Sequence, residues 1–422
     1  NSHNFRGGSL HIGGNSRSVT VRDSEFSQSY YHAIVNEGAS DVHYINVKAY
    51  WAFTGVESER YYTDGENSSW RKKPRPGNFG TSIDVEGTGE STPNRNIILE
   101  GCEFGYAETN ALNIIYGENI TVRNCVIKDK PLGVQECCFG VHITNNKLIG
   151  SQFYISKDNV DSITFDGNYI KNSNIRYSSS GRSGYQSNNI SIRNNYIMQE
   201  DDVKGAYTRA YACIDLALKN NSSCDVTNNT IVINDGRYKF IDISSESDKS
   251  YASVSHNHFI GGSNIKPLKD MYYVLFKMTS ANIDFSHNKI DVYGADELEL
   301  NLDSLTVARL WVIYLVSQKT STNERIKIAF NDFNILTPGL KQAQYIYTSG
   351  VTSIVRDKFC EFYNNTMYST GTSVANAFKL FSTYGFKVFN NILDNYINTS
   401  SALYEKSDKL VAINNIVNGV LQ

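Results

Sequence analysis

The sequence repeats one short pattern in which apolar and polar residues alternate before an Asn-containing turn. The pattern reads apolar-x-apolar-x-Asn/Asp/Gly-Asn-x-apolar, and clear copies occupy residues 120–127, 163–170, 190–197 and 283–290. Alternation with a period of two predicts a strand with one buried face, because successive side chains of a strand point to opposite sides. Each copy is therefore expected to form a short strand followed by a turn.

About fourteen copies can be placed along the chain. Their second turn residue falls at Ser24, Val47, Cys102, Cys125, Asn146, Asn168, Asn195, Asn229, Asn257, Asn288, Asn331, Asn365, Asn391 and Asn415. Self-similarity at a period of 20 to 50 residues is the signature of a repeat architecture. The short strands and the absence of a Leu consensus or of four strands per repeat favour a parallel β-helix. We predict an all-β solenoid of about fourteen rungs that spans residues 1–422 as one domain.

Asparagine suits the turn for two reasons. It tolerates left-handed backbone geometry, and its amide can bond neighbouring backbone groups. Stacked rungs would place the Asn side chains one above another, so the repeat predicts a ladder of Asn residues along the turn.

Two intervals are too long for a plain rung. They run from Val47 to Cys102 and from Asn288 to Asn331. We expect an excursion from the helix wall in each, at about 51–93 and 291–322. Long loops on a rigid scaffold often carry binding and catalytic residues.

The first excursion is rich in aromatic and basic residues. Aromatic faces can stack on sugar rings, and Arg side chains match carboxylates. The candidates for substrate binding are Trp51, Arg60, Tyr61, Trp70, Arg71 and Arg75. The alternative interpretation is a loop whose aromatic side chains pack on one another.

The best catalytic candidates lie where the chain returns to the helix. If Ile83 and Val85 point inward, Asp84 and Glu86 share the outer face, with Cα atoms about 6.5 to 7 Å apart. Two carboxyls with divided roles are what glycoside hydrolysis requires, and their proximity would raise one pKa. The strand of the next rung would bring Asn113 beside the pair. The alternative is a pair of solvated acids on a strand face.

A second acidic pair comes from one tripeptide pattern in consecutive rungs. Asp215 and Asp242 are expected to stack at about 4.8 Å. Because like charges that close are destabilising, they indicate a function, a shared proton or a nearby cation such as Lys219 or Arg237. Three further residues of this region are candidate neighbours of the pair, namely Arg209, Tyr211 and Glu246.

Composition excludes several classes of protein. The formal net charge of −3 offers no field that would attract nucleic acid. No run of 18 apolar residues exists, so we predict no membrane span. The chain begins with Asn1 rather than Met and without a signal-like segment, so we expect a fragment or a processed form.

The seven cysteines do not have the spacing of a zinc site. Cys102 and Cys125 occupy the turn column, where we expect small buried residues that stack on each other. His256 and His287 also fall at turns of adjacent rungs, where we interpret them as turn residues. No metal and no cofactor are predicted.

With these repeats, the chain resembles the right-handed parallel β-helix superfamily, which includes pectin-degrading and alginate-modifying enzymes and bacteriophage tailspikes. Residues 82–87 and 96–102 look like stretches of tailspike depolymerases. The resemblance implies binding and cleavage of a bacterial surface polysaccharide, capsule or O-antigen, by a homotrimer in a virion tail or the extracellular space. The calcium-binding Asp cluster of pectate lyases and the Asp-Asp motif of polygalacturonases are not found.

Two other functions stay open at this stage. A lyase would need a uronic-acid substrate, a neutralising cation such as Arg71 or Arg75, and a Tyr or His base. A non-catalytic adhesin or structural rod would bind glycan without shortening it.

Overall fold

The fold consists of short β-strands. The computed structural model describes residues 9–27, 32–50, 81–107, 109–156, 159–178, 187–200, 212–219, 221–234, 239–245, 249–261, 272–279, 282–293, 309–317, 324–336, 342–350, 358–369, 378–379, 385–394, 404–405 and 410–421. No helix occurs in these ranges. The chain divides into two compact units, Asn1–Ser173 and Asn174–Gln422.

The first unit contains eighteen strands. They are β1 (Leu10–Ile12), β2 (Arg17–Arg22), β3 (Glu25–Ser27), β4 (Ile34–Glu37), β5 (Ser40–Ile45), β6 (Lys48–Tyr50), β7 (Ile83–Glu86), β8 (Asn94–Glu100), β9 (Glu103–Gly105), β10 (Leu112–Ile115), β11 (Gly117–Arg123), β12 (Val126–Lys128), β13 (Leu132–Gln135), β14 (Phe139–Thr144), β15 (Lys147–Ile149), β16 (Phe153–Ser156), β17 (Asp161–Asp166) and β18 (Tyr169–Lys171).

The second unit continues the same order of elements. Its strands are β19 (Ile175–Ser178), β20 (Asn188–Arg193), β21 (Tyr196–Gln199), β22 (Ala212–Leu218), β23 (Ser223–Thr227), β24 (Thr230–Ile233), β25 (Lys239–Ser245), β26 (Tyr251–Ser255), β27 (His258–Gly261), β28 (Tyr272–Thr279), β29 (Asn282–Ser286), β30 (Lys289–Tyr293), β31 (Arg309–Ser317), β32 (Glu324–Ala329), β33 (Asp332–Leu336), β34 (Gln342–Gly350), β35 (Lys358–Tyr363), β36 (Thr366–Ser369), β37 (Phe378–Lys379), β38 (Gly385–Phe389), β39 (Ile392–Asp394), β40 (Tyr404–Glu405), β41 (Leu410–Ile413), β42 (Ile416–Val417) and β43 (Val420–Leu421).

Within each unit the strands pair in parallel with the strand that comes three positions later in the chain, for example β4 with β7 and β7 with β10. Three consecutive strands therefore make one rung, and each contributes to a different sheet. The described strands form six rungs in the first unit and eight in the second. The final pair, β42 with β43, is antiparallel. The predicted right-handed parallel β-helix of about fourteen rungs is confirmed.

The core of each unit is the stripe of apolar residues that the alternation predicted. In β7, Ile83 and Val85 are fully buried, and in β11 Ile120 and Val122 are fully buried. The inward side chains of successive rungs lie in register because the strands pair without a shift. A one-residue slip would turn every apolar side chain outward, so burial fixes the register of the outer face as well.

The two predicted excursions contain rung strands. Strand β7 (Ile83–Glu86) lies in the interval 51–93 and pairs with β4 and β10. Strand β31 (Arg309–Ser317) lies in the interval 291–322 and pairs with β28 and β34. Residues 51–80, 294–308 and 318–323 are outside the described residues.

A ladder of buried asparagines runs along one turn in each unit. In the second unit it comprises Asn195, Asn229, Asn257, Asn288, Asn331, Asn365, Asn391 and Asn415. Asn257 shows the repeated geometry. Its Nδ2 donates to Val226 O at 2.9 Å and to Asn288 Oδ1 at 3.1 Å. Its Oδ1 accepts from the backbone N and the Nδ2 of Asn229, both at 2.9 Å.

The residue before each buried Asn has the left-handed backbone conformation. This corrects the prediction that one Asn column provides both the left-handed turn and the hydrogen bonds. Asn228, with φ 55°, comes before Asn229, and His256, with φ 57°, comes before Asn257. Asn228 is exposed, whereas Asn229 is buried. The turn therefore uses two neighbouring columns, one for backbone conformation and one for hydrogen bonding.

The predictions for cysteine and histidine at the turns are confirmed. Cys102 and Cys125 are 1% exposed, and Cys125 N donates to Asn146 Oδ1 at 2.8 Å, which continues the ladder of the first unit. All seven cysteines are free and buried. The rings of His256 and His287 stack with centroids 5.0 Å apart, in the left-handed column.

We expect Asn257→Ala to lower the free energy of unfolding of the protein by about 2–4 kcal/mol, because the substitution leaves the buried backbone N–H and the side-chain amide of Asn229 without their acceptor. Chemical denaturation measures the loss. The matched control is Asn228→Gly, which keeps the left-handed turn and should change stability by less than about 0.5 kcal/mol. Equal losses in the two variants would contradict the division of roles between the columns.

Candidate active site

The candidate site lies on the outer face of the first sheet of unit 1, across β4, β7, β10, β13 and β16. The pairing places Val35, Asp84, Asn113, Gly133 and Tyr154 in one outward column. A second outward column, two residues further along each strand, contains Glu37, Glu86, Ile115 and Gln135. Most of the polar residues that influence Asp84 belong to these two columns.

Asp84 is buried, although it points away from the apolar core. It is 5% exposed, whereas Glu86 on the same face of β7 is exposed. Burial, the charge and hydrogen bond of Glu86 and the charge of Glu37 raise the pKa of Asp84 to about 7. The alternative interpretation, a pair of solvated acids, is therefore wrong for Asp84, and near neutral pH this carboxyl is divided between its two protonation states.

His32 faces the other side of the Asp84 carboxyl. Its Nε2 lies 3.7 Å from Asp84 Oδ2, and its Nδ1 accepts the backbone N–H of Thr81 at 3.3 Å. Since Nδ1 is the acceptor, the ring proton is on Nε2 and points toward Asp84. Burial lowers the pKa of His32 to about 4, so the contact is between a neutral imidazole and a carboxyl rather than an ion pair.

Asn113 donates from Nδ2 to Asp84 Oδ1 at 3.0 Å. This confirms that the next rung brings Asn113 beside the acidic pair. Asn113 is 8% exposed. Its amide is therefore directed at a carboxyl that is itself buried.

A second buried carboxylate shows what distinguishes Asp84. Asp291 in β30 accepts from His258 Nε2 at 2.7 Å, Lys289 Nζ at 3.0 Å and Asn334 Nδ2 at 3.2 Å. Burial acts to raise its pKa, but these three donors hold the pKa below the usual range. Among the described residues no Lys or Arg forms an ion pair with Asp84, and its pKa rises instead.

This arrangement can donate and accept a proton at neutral pH. A carboxyl with a pKa of about 7 is present in both protonation states near neutral pH, and the carboxyl of Glu86 on the same strand is exposed. A group whose pKa lies near the pH of the reaction is suited to a general acid or base role. The described part of the chain contains no group of three or more His, Cys, Asp or Glu residues that could hold a metal ion.

The other acidic pair has a different environment. Asp215 and Asp242 are directly paired between β22 and β25, as predicted. Arg176 Nε lies 3.8 Å from Asp215, and Asp242 has Lys239 at 2.9 Å and Lys277 at 3.7 Å. Burial and the charge of Asp242 raise the pKa of Asp215, and these cations oppose that rise.

The column through this second pair runs Arg176, Asp215, Asp242 and Lys277, so a cation flanks the stacked aspartates at each end. A nearby cation such as Lys219 or Arg237 was expected. The cations that the described residues place beside the pair are Arg176 on β19, Lys277 on β28 and Lys239, which is on β25 with Asp242. The remaining candidates of this region lie outside the described residues, namely Arg209, Tyr211, Arg237 and Glu246. The predicted sugar-binding residues Trp51, Arg60, Tyr61, Trp70, Arg71 and Arg75 lie outside them too.

Sequence reasoning missed His32 and Glu37. His32 precedes β4 and Glu37 ends it. This strand does not show the apolar alternation, because Asn36 points inward and is fully buried. Asn36 Nδ2 donates to Asn94 Oδ1 at 2.6 Å, and Tyr44 donates its hydroxyl to Asn36 Oδ1 at 3.1 Å. An alignment of the strands of consecutive rungs would have identified Glu37, because Glu37 pairs with Glu86.

No family model and no curated protein matches the chain. Among solved structures it is similar to a mutant tailspike protein of E. coli bacteriophage HK620 in complex with a pentasaccharide, with 12% identity, a TM-score of 0.41, and coverage of 99% of this chain and 70% of the other. A double mutant of the same tailspike gives 12% identity, a TM-score of 0.41, and coverage of 99% and 69%.

A hyperthermoactive exopolygalacturonase from Thermotoga maritima is also similar, with 9% identity, a TM-score of 0.33, and coverage of 91% and 80%. TM-scores below 0.5 support no conclusion about activity. The fold itself places the chain in the class of right-handed parallel β-helix proteins. The described residues include no helix long and apolar enough to cross a membrane.

The pKa of Asp84 predicts a pH-dependent stability. Because the folded pKa of about 7 lies above the ordinary value of 3.8, ionisation of Asp84 destabilises the folded state as pH rises from about 4 to 7. We expect the unfolding free energy of Asp84→Asn, relative to wild type, to increase over this range by up to about 4 kcal/mol.

Urea denaturation at several pH values measures this difference. His32 contributes in the opposite direction in both proteins, because its lowered pKa costs stability as pH falls from about 6.5 to 4. The comparison with wild type removes most of that contribution. A difference that stays constant from pH 4 to 8 would show that Asp84 titrates normally.

Proposed function

We propose that the protein is a polysaccharide depolymerase that hydrolyses glycosidic bonds at the Asp84 and Glu86 pair. One observation carries the proposal, namely a buried carboxyl whose pKa is raised to about 7 and which has an exposed carboxyl, Glu86, on the same face of its strand. Glycoside hydrolysis requires one protonated and one ionised carboxyl at the pH of the reaction.

In the proposed reaction Asp84 is the general acid. It transfers its proton to the glycosidic oxygen while the bond from that oxygen to the anomeric carbon breaks. Glu86 attacks the anomeric carbon, and Asp84, now ionised, takes a proton from the water that releases the sugar from Glu86. Water is added across the bond, and both carboxyls return to their starting states.

The distance between the two carboxyls determines whether Glu86 acts as a nucleophile or as a base. Retaining enzymes have carboxyls about 5–5.5 Å apart, whereas inverting enzymes need about 6.5–9.5 Å to admit a water molecule. Glu86 interacts with Asp84 strongly enough to raise its pKa, and the proposed reaction assigns Glu86 as the nucleophile. Glu86 is exposed and can turn aside to admit a sugar ring.

The proposal includes a bacterial surface polysaccharide, capsule or O-antigen, as substrate, and a homotrimer in a phage tail or the extracellular space. These finer parts rest on the resemblance of residues 82–87 and 96–102 to tailspike depolymerases. The proposed site is built from described residues of one chain, so the hydrolysis can be tested independently of the oligomeric state.

The first test is mass spectrometry of products after incubation with a panel of capsular and O-antigen polysaccharides. We expect oligosaccharides that carry one added water. Asp84→Asn and Glu86→Gln should each lower the rate by at least about 100-fold, since each removes a group that acts in the transition state. Asp215→Asn should retain cleavage, because Asp215 lies in the ion-paired column of the other unit.

The contrary outcomes are distinct. Cleavage lost only in Asp215→Asn would move the site to the second pair. Products that are lighter by one water would identify a lyase. Polysaccharides that are bound but remain intact in every sample would favour an adhesin.

We expect hydrolysis with retention of anomeric configuration, because the proposed reaction passes through a sugar bound covalently to Glu86. Proton NMR of the products, recorded within the first minutes before mutarotation, shows which anomer forms first. First appearance of the opposite anomer would require Glu86 to act as a base on water after turning away from Asp84.

A further inference from the structure

The amide of Asn113 has neighbours that permit only one orientation. Its Nδ2 faces Asp84 Oδ1, while its Oδ1 accepts from the Nε2 of Gln135 and from the Nδ2 of Asn110 at 3.4 Å. A flipped amide would place its NH₂ against two NH₂ donors and its oxygen against Asp84. Gln135 and Asn110 therefore select the orientation in which Asn113 donates to the carboxyl.

Tyr154 fixes the two residues that select this orientation. Its hydroxyl accepts from Gln135 Nε2 at 2.9 Å and from Asn110 Nδ2 at 3.0 Å. The two donors to Asn113 Oδ1 thus converge on one phenol. Burial raises the pKa of Tyr154, so the hydroxyl stays neutral and keeps its place in the network.

Gly133 makes room for this phenol. It pairs with Asn113 on one side and with Tyr154 on the other, so it lies between them in the outward column. A Cβ at Gly133 would lie 2.5 Å from the Tyr154 hydroxyl and 2.8 Å from its Cε1. Such contacts do not occur, and any side chain here would displace the ring. The Tyr154 ring therefore crosses β13 over a position without a side chain.

We propose that Gly133, Tyr154 and Gln135 are positioning residues that hold the Asn113 amide as a donor to Asp84 and so orient the acid of the proposed site. This inference rests on the proposed function only for its catalytic consequence. We call these three residues and the Asn113 amide the relay. The geometry of the relay is independent of any substrate.

The relay acts against the other groups that face Asp84. Burial, Glu86 on β7 and Glu37 on β4 favour the protonated form, while the Asn113 bond favours the ionised form. His32, which precedes β4, is neutral and adds no charge. Removal of the relay leaves the raising effects unopposed, so the acid should hold its proton to higher pH.

The test is a carbon-13 NMR titration of protein labelled at its Asp carboxyls, with Asp84→Asn used to assign the signal. We expect Gln135→Met, which keeps the side-chain volume and removes the donor, to raise the pKa of Asp84 by about one unit. Gly133→Ala should give a similar rise by displacing Tyr154. Gly13→Ala is the matched control, because nothing lies within 4 Å of its added Cβ, and it should leave the titration unchanged.

A double-mutant comparison separates the relay from general loosening of the sheet. In a Tyr154→Ala background the ring is gone, so Gly133→Ala should cause no further change in the titration of Asp84. Thermal melting confirms that each variant is folded. An unchanged Asp84 titration in folded Gln135→Met, or an equal effect of Gly133→Ala with and without the Tyr154 ring, would overturn the proposal.

The same variants separate this inference from the proposed function, because the titration uses no glycan. If the wild type cleaves no glycan while the titration of Asp84 shifts as expected, the relay stands and the hydrolase proposal fails. If the wild type does cleave, the alkaline limb of its pH–rate profile should move up by the same one unit in Gln135→Met. A limb that stays in place would show that the relay does not position the catalytic acid.

Discussion

The stacking of buried turn asparagines is the interaction on which the rest of the structure depends. Each amide satisfies a backbone carbonyl of an earlier rung and accepts the backbone N–H of its neighbour, as Asn257 does with Val226 and Asn229. A polar group buried without a partner is costly, so each Asn can be accommodated only if the rungs stack in register. That register then applies to every outward residue of the sheets.

Because the rungs stack in register, the side chains of neighbouring rungs form columns. Acidic side chains come close together in these columns, and the chain accommodates them in two ways. Asp242 is stacked on Asp215 and is compensated by Lys239 and Lys277. Asp84 has two acids nearby, Glu86 and Glu37, and the described residues pair it with no Lys or Arg. In the first, cations flank the stacked carboxyls. In the second, the pKa of Asp84 rises to about 7, which costs stability near neutral pH and is a property suited to proton transfer.

The sequence determined the fold, because the alternation and the Asn column are local patterns whose physical meaning does not depend on distant residues. It also determined that Asp84 and Glu86 share a face, since residues two apart on a strand always do. The stacking of Asp215 on Asp242 followed in the same way from one tripeptide repeated in consecutive rungs. Asn113 could be placed beside Asp84 because consecutive rungs pair.

Only the tertiary structure decided which carboxyl is buried, which groups surround it and which turn residue is left-handed. Four different rungs supply Asp84, His32, Gln135 and Tyr154, and no pattern in the sequence links these residues. Gly133 gives no signal of its role, because the ring it accommodates belongs to the following rung. Burial and hydrogen bonding depend on how side chains from separate rungs meet, whereas alternation and repeat length are already present in each segment alone.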